Sequence, residues 1–233
     1  MKKNLFFDLD GTLLPMDMDV FLKEYFGTLC NHTRTLADAA VMKRMVLRGV
    51  EAMMNNRDPA KTCENVFAAL FEAELGISFV ENKPLFIDYY ENHFGKLAPY
   101  FPPDPRAAQC VLKAREKGIS CALATNPIFP AAATLQRIKW AGLERGWFEH
   151  VTTYETCSFT KPNPEYFLWL MDHLGWKPED TRMVGNDELE DIRCAQSVGI
   201  ECFFLENTPL YINGESCTTE CDRGGFDELF TWI

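Results

Sequence analysis

From Asp104 onward the chain repeats one unit: a helix opened by a capping residue, closed by glycine and followed by a short apolar strand. That alternation is how βα units of a parallel sheet read in sequence. Asp104 can cap a helix with Pro105 at its first position, and Gly118 ends it before a strand over 119–124. The same punctuation predicts a helix over 130–141 closed by Gly142, and another opened by Asn163-Pro164 and ended by Gly175. A strand over 181–184, a helix over about 188–198 stopped by Gly199, and a strand over 200–204 follow. Residues 205 to about 225, rich in Asn, Gly, Thr and Cys, read as a loop, and 226–232 as a last short helix.

Residues 16–98 break this rhythm. Helical periodicity dominates there, with Asp58-Pro59 as a cap and first position and Gly76 and Gly95 at helix ends, and no alternating strand appears. About 80 residues without a strand far exceed a normal crossover, so the block reads as an inserted helical cap. The α/β core is then 1–15 joined to 99–233. Leu14-Pro15-Met16 marks the departure, and Pro99, Pro102, Pro103 and Pro105 the return hinge.

The chain has 233 residues, 47% of them apolar and 24% charged, enough for one large domain carrying an insertion. Its net charge of -11 argues against a nucleic-acid partner, since no basic stripe exists to displace counterions. A small phosphorylated substrate remains compatible if a cation offsets its charge locally. Asp8 follows Met1-Lys2-Lys3 too soon for a secretory core, and no apolar run reaches the ~18 residues of a membrane span. The expectation is a cytoplasmic protein with reduced thiols. Cys217 and Cys221, the one close pair among nine cysteines, are read as incidental thiols in a flexible tail, and no histidine shows metal spacing.

Chemistry concentrates at predicted strand ends. Asp8-Leu9-Asp10-Gly11-Thr12 follows the apolar run Leu5-Phe6-Phe7, and such a pentad arises by accident in on the order of one chain this long in a few hundred. Strand alternation puts residues 8 and 10 on one side of the backbone, where ligands of open α/β sheets bind. Two carboxylates held that close call for a shared proton or a divalent cation. Thr125-Asn126 follows the next strand, just before a helix start whose free N–H groups favour an anion. Lys161 sits in the proline-stiffened stretch Phe159-Thr160-Lys161-Pro162-Asn163-Pro164. Gly185-Asn186-Asp187-Glu188-Leu189-Glu190-Asp191 packs four acids at a strand end and helix start. Capping explains part of that acidity, while the i, i+4 pair Asp187 and Asp191 suits a magnesium ligand and a supporting carboxylate.

Asp8-x-Asp10-Gly11-Thr12, Thr125, Lys161 and Asp187-x3-Asp191, in this order, resemble the four motifs of the haloacid dehalogenase-like hydrolases. The resemblance spans the whole chain. It implies a Rossmann-like three-layer α/β core with a central parallel sheet, an inserted α-helical cap, Mg2+ as cofactor, and phosphoryl transfer through an aspartyl-phosphate. On that resemblance Asp8 is the nucleophile and Asp10 the acid/base. Asp8, the Asp10 carbonyl and Asp187 hold the metal, Thr125, Asn126 and Lys161 grip the phosphoryl group, and Asp191 supports the ligand shell. Many relatives place the first acid directly after the glycine of the last motif. Here Asn186 intervenes, and Asp187 is still taken as the ligand with Glu188 or Asp191 as alternatives.

Asp10 argues against dehalogenation, because a C-halogen hydrolase has no leaving alkoxide to protonate and the dehalogenating relatives this chain resembles lack that aspartate. The expected activity is hydrolysis of a small phosphorylated metabolite. A phosphosugar mutase of the same fold and a binding protein on a retired enzyme scaffold are the alternatives. Asp17, Phe21 and Lys23 lie close enough to the first motif to reach a substrate, although amphipathic cap packing accounts for each of them better.

Overall fold

The computed structural model describes residues 3–233. In chain order it has β1 (Asn4–Phe7), α1 (Met18–His32), α2 (Ala39–Asn55), α3 (Cys63–Leu75) and α4 (Phe79–Asp88). A π-helical turn (Tyr89–His93) and a 3-10 stretch (Phe94–Tyr100) lead back to α5 (Pro105–Glu116), β2 (Ser120–Leu123), α6 (Ala131–Trp140), α7 (Pro164–Leu174) and β3 (Thr181–Gly185). A second π-helical turn (Glu188–Arg193) runs into α8 (Cys194–Ser197), then β4 (Glu201–Leu205), β5 (Asp222–Gly224) and α9 (Phe226–Trp232). The sheet order is β2-β1-β3-β4-β5, with every pairing parallel.

Alternation along these strands builds the layers. Phe6, Ala122, Met183, Cys202 and Phe204 point into a core closed by Tyr166, Phe167 and Leu170 of α7 and Ala195 of α8. Their strand neighbours Leu5, Phe7, Cys121, Leu123, Val184 and Phe203 enter the opposite core, under Ala107 and Val111 of α5 and Leu229 of α9. Strands buried on both faces are what an all-parallel sheet requires. The second core continues without a break into α1 and α2, through Phe21, Leu29, Met42 and Met45. No described helix is long and apolar enough to cross a membrane.

Asp104 and Pro105 open α5, and the glycines at 118, 142, 175 and 199 all take positive φ at helix ends. Four local expectations are modified in the structure. Asp58-Pro59 forms a turn, with Asp58 Oδ1 accepting from the Ala60 amide at 3.0 Å, and does not start a helix. Helix α3 begins later because Cys157 and Tyr154 carbonyls accept from the Cys63 and Glu64 amides; Thr62 and Asn65 then form a reciprocal capping box. Gly95 lies inside the 3-10 stretch rather than ending a helix. The helix expected over 188–198 opens as a π-helical turn, and the tail contributes β5 to the sheet edge.

Thr62→Ala is therefore expected to lower stability by ~1 kcal/mol in urea titrations, and Asp58→Ala by distinctly less. The reverse order would restore Asp58 as the helix cap.

Candidate active site

Register sets the site. Phe7 is level with Leu123 on one side and Val184 on the other, so Asp8 and Ala124 leave the sheet beside Gly185, the last residue of β3, at its carboxyl edge. One cavity of about 250 Å3 at that edge is lined by Asp8, Asp10, Thr125, Asn126, Lys161, Asp187 and Asp191. All seven side chains singled out from sequence thus meet in one place.

At its floor Lys161, only 1% exposed, donates to Asp8 Oδ1 at 2.8 Å and to Asp191 Oδ1 at 2.5 Å. Burial alone would lower the lysine pKa, but Asp191 and Asp8 beside it raise it well above the ordinary ammonium range. Asp191 Oδ2 accepts from the Asn186 and Asp187 amides at 3.1 and 3.0 Å, so the supporting carboxylate ties the end of β3 to Lys161. A Cβ on Gly185 would lie 2.3 Å from Asp191 Cγ, which explains the glycine.

Asn186, the residue that departs from the family pattern, has a structural task. Its Oδ1 and Asp8 Oδ2 both lie within reach of the Thr12 hydroxyl, at 2.9 and 3.1 Å. Its Nδ2 donates to the Thr208 carbonyl at 2.6 Å, and the Thr208 hydroxyl donates to the Gly11 carbonyl. Gly11 takes φ +84°, and any Cβ there would lie 2.3 Å from Asn186 Nδ2. The tail, expected to be a plain loop, thereby locks the first motif to the last. Leu210 extends the lock, pairing its backbone with Asn186 and Glu188.

Asp187 caps the π-helical turn, its Oδ1 accepting from the Leu189 and Glu190 amides at 2.8 and 2.7 Å. Burial raises its pKa against those amides. Glu190, pushed up to about 7 by burial, accepts from Asn126 Nδ2 at 2.9 Å. The same Nδ2 lies 3.2 Å from the Lys161 carbonyl. The Thr125 carbonyl accepts from the Thr152 and Tyr166 hydroxyls at 2.6 and 2.9 Å, which fixes the backbone around its side chain.

Sequence reasoning missed Arg137. This α6 residue is 1% exposed, donates to Asp10 Oδ2, and sits over the Phe129 ring with its guanidinium carbon 4.4 Å from the centroid. A signal existed: Ala133, Thr134, Ile138 and Ala141 mark a buried helix face, and residue 137 falls on it. Burial raises the Asp10 pKa and Arg137 opposes the rise, while Asp8 adds to it. Asp10 Oδ1 is buried with no hydrogen-bond partner among the described residues.

Five carboxylates, of Asp8, Asp10, Asp187, Glu190 and Asp191, face two cations, Lys161 and Arg137, around the cavity. That excess of negative charge, with an orphaned Asp10 oxygen, fits a divalent cation. Asp8, Asp10 and Asp187 do not bring three side-chain donors together as a tight cluster, since the one such group among the described residues is His32, Asp88 and His93. Mg2+ suits that openness, because it takes one or two carboxylates and keeps several other oxygens. The histidine group is less suited: His32 Nε2 lies 3.1 Å from the Leu85 carbonyl, which can only accept, so that nitrogen carries a proton rather than a free lone pair.

The helix start after Thr125-Asn126 is not open to an anion as expected. Glu155 occupies it, its two carboxylate oxygens accepting from the Ala131 amide at 3.0 and 3.1 Å. Asp17 caps α1, Lys23 is exposed beside Glu24, and Phe21 is buried in the cavity wall.

Residues 5–205 match the family model described as haloacid dehalogenase-like hydrolase. The chain belongs to that family. It is 26% identical over 217 residues to a glyceraldehyde 3-phosphate phosphatase of Methanothermobacter thermautotrophicus, covering 89% of this chain and 87% of the relative. Its fold is similar to that of a phosphatase of the family from Thermococcus onnurineus, at TM-score 0.58 and 23% identity over 99% of this chain and 97% of that one. It is similar as well to L-2-haloacid dehalogenase from Xanthobacter autotrophicus, at TM-score 0.56 and 16% identity over 99% and 98% of the two chains. The family fold therefore houses both reactions, and the choice rests on side chains.

Lys161→Met would leave two buried carboxylates facing each other and is expected to cost ~3–5 kcal/mol of stability in urea. Adding Asp191→Asn should recover part of that loss. Additive losses in the double variant would mean that the three groups are not coupled.

Proposed function

We propose that this chain is a phosphoric monoester hydrolase that uses Mg2+ and forms an aspartyl-phosphate on Asp8. The observation that carries the reading is the fixed Asp8 carboxylate, held by Lys161 and Thr12 in the floor of the cavity, with Asp10 beside it. Phosphatase-named relatives point the same way.

In this reading Asp8 attacks phosphorus, and the bond to the leaving oxygen breaks as Asp10 gives that oxygen a proton. Water then attacks the phosphoryl group, passes a proton to Asp10, and releases phosphate while Asp8 recovers its carboxylate. Arg137 holds one oxygen of Asp10, leaving Oδ1 free to exchange the proton. Burial moves the Asp10 pKa upward, the direction that suits a group that must carry a proton. A bound Mg2+ would be held by Asp8, the Asp10 carbonyl and Asp187, and would supply charge neutralisation between nucleophile and phosphate. Lys161 and the Thr125 hydroxyl meet the phosphoryl oxygens. Asn126 has its side-chain nitrogen committed to Glu190 and the Lys161 carbonyl, so its contact with phosphate comes from the backbone amide. Helices α1–α4 serve as the cap over this site, which excludes bulk water during the transfer.

With p-nitrophenyl phosphate as a general probe, chelation by EDTA is expected to abolish release and Mg2+ to restore it. Asp8→Asn should be inactive, and Asp10→Asn should lose roughly 10²–10⁴-fold in kcat/KM. Full activity of Asp8→Asn would overturn the assignment.

A further inference from the structure

A second cavity, of about 140 Å3, opens between α1, α2 and the loop after β2. A single water needs only ~10–15 Å3 on the same scale, so the space holds a group of several heavy atoms. Leu22, Phe26, Val46, Val50, Met53 and Phe67 supply much of its wall. The few polar atoms there are already paired: the Tyr25 and Tyr90 hydroxyls bond each other at 2.7 Å, and the Tyr154 hydroxyl donates to Glu64 at 3.2 Å.

This cavity adjoins the catalytic one. Met18, Phe21, Ile128 and Phe129 line both. Three of the four, Met18, Ile128 and Phe129, keep solvent exposure while Phe21 is buried, so the shared wall is partly open. Ile128 and Phe129 follow Thr125 and Asn126 in the same loop, which places the apolar space close behind the phosphate end of the site. Phe129, under the Arg137 guanidinium, marks where charge gives way to carbon.

An apolar space beside a charged one sorts substrates. A sugar hydroxyl entering it would give up its hydrogen bonds to water and find no replacement, whereas a hydrocarbon gains burial and contact. We infer that this second cavity is the leaving-group subsite, and that the substrate class is a phosphate monoester of an alcohol with an apolar alkyl or aryl body. The inference rests on the phosphatase reading above and names the half of the substrate that reading leaves open.

The test is a chain-length series on the Mg2+-loaded wild type, with ethyl, butyl and hexyl phosphate set against glycerol 3-phosphate and glucose 6-phosphate. Each buried methylene is expected to raise kcat/KM about three- to fourfold, so hexyl should exceed ethyl phosphate by on the order of a hundredfold. Val50→Phe, which fills the cavity, should cut that hexyl-to-ethyl ratio about tenfold or more; taking the ratio cancels effects shared by both esters. A flat series, or preference for glucose 6-phosphate, overturns the inference while leaving the phosphatase reading intact. Should no ester turn over, that reading fails, and calorimetry with phosphonates decides the subsite. Hexylphosphonate binding at least about tenfold tighter than ethylphosphonate supports it, and equal affinity overturns it.

Discussion

A lysine ammonium with 1% exposure, shared between Asp8 and Asp191, is the interaction on which the rest of this structure depends. A charge so buried persists only if carboxylates meet it at hydrogen-bonding distance, and the two that do come from opposite ends of the sequence. Asp8 arrives on β1, Lys161 on the loop before α7, and Asp191 on the turn after β3. The parallel register of β1 and β3 sets Asp8 level with Gly185, against which Asp191 packs. Gly185 is then required because Asp191 fills the volume its side chain would take.

The same economy explains the less expected contacts. Pulling several acids into one cavity raises the cost of each charge, and the chain offsets part of it with Lys161 and with Arg137 from α6. The remainder is the physical case for a divalent cation. Around that centre the tail acts as a clasp, with Thr208 joining Gly11 to Asn186 and Leu210 pairing with the turn beyond. Glu188, which stood as an alternative metal ligand, instead binds Thr218, Thr219 and the Ile212 amide, turning away from the cation-facing acids toward the tail.

What could be read from the sequence follows how local its cause is. Asp104-Pro105 and Asn163-Pro164 announce helices because capping is settled within one turn, and Gly118, Gly142, Gly175 and Gly199 end them by their own backbone freedom. The acids at residues 8, 10, 187 and 191 were legible because strand ends in parallel sheets share one edge. Arg137, Thr208 and Glu155 were harder to place: the buried face of α6 marked residue 137, but the partners that give all three their roles lie 22 to 197 residues away. Asp58-Pro59 misled for the same reason: distant carbonyls from Tyr154 and Cys157 decide where α3 begins.

Passage of the phosphoryl group through Asp8 would leave its mark in the stereochemistry at phosphorus. A monoester made chiral with three oxygen isotopes, hydrolysed in water and read by 31P NMR, reports whether one displacement or two occurred. Two in-line displacements through Asp8 give net retention of configuration. Inversion would mean that water attacks the ester directly and that Asp8 is no nucleophile.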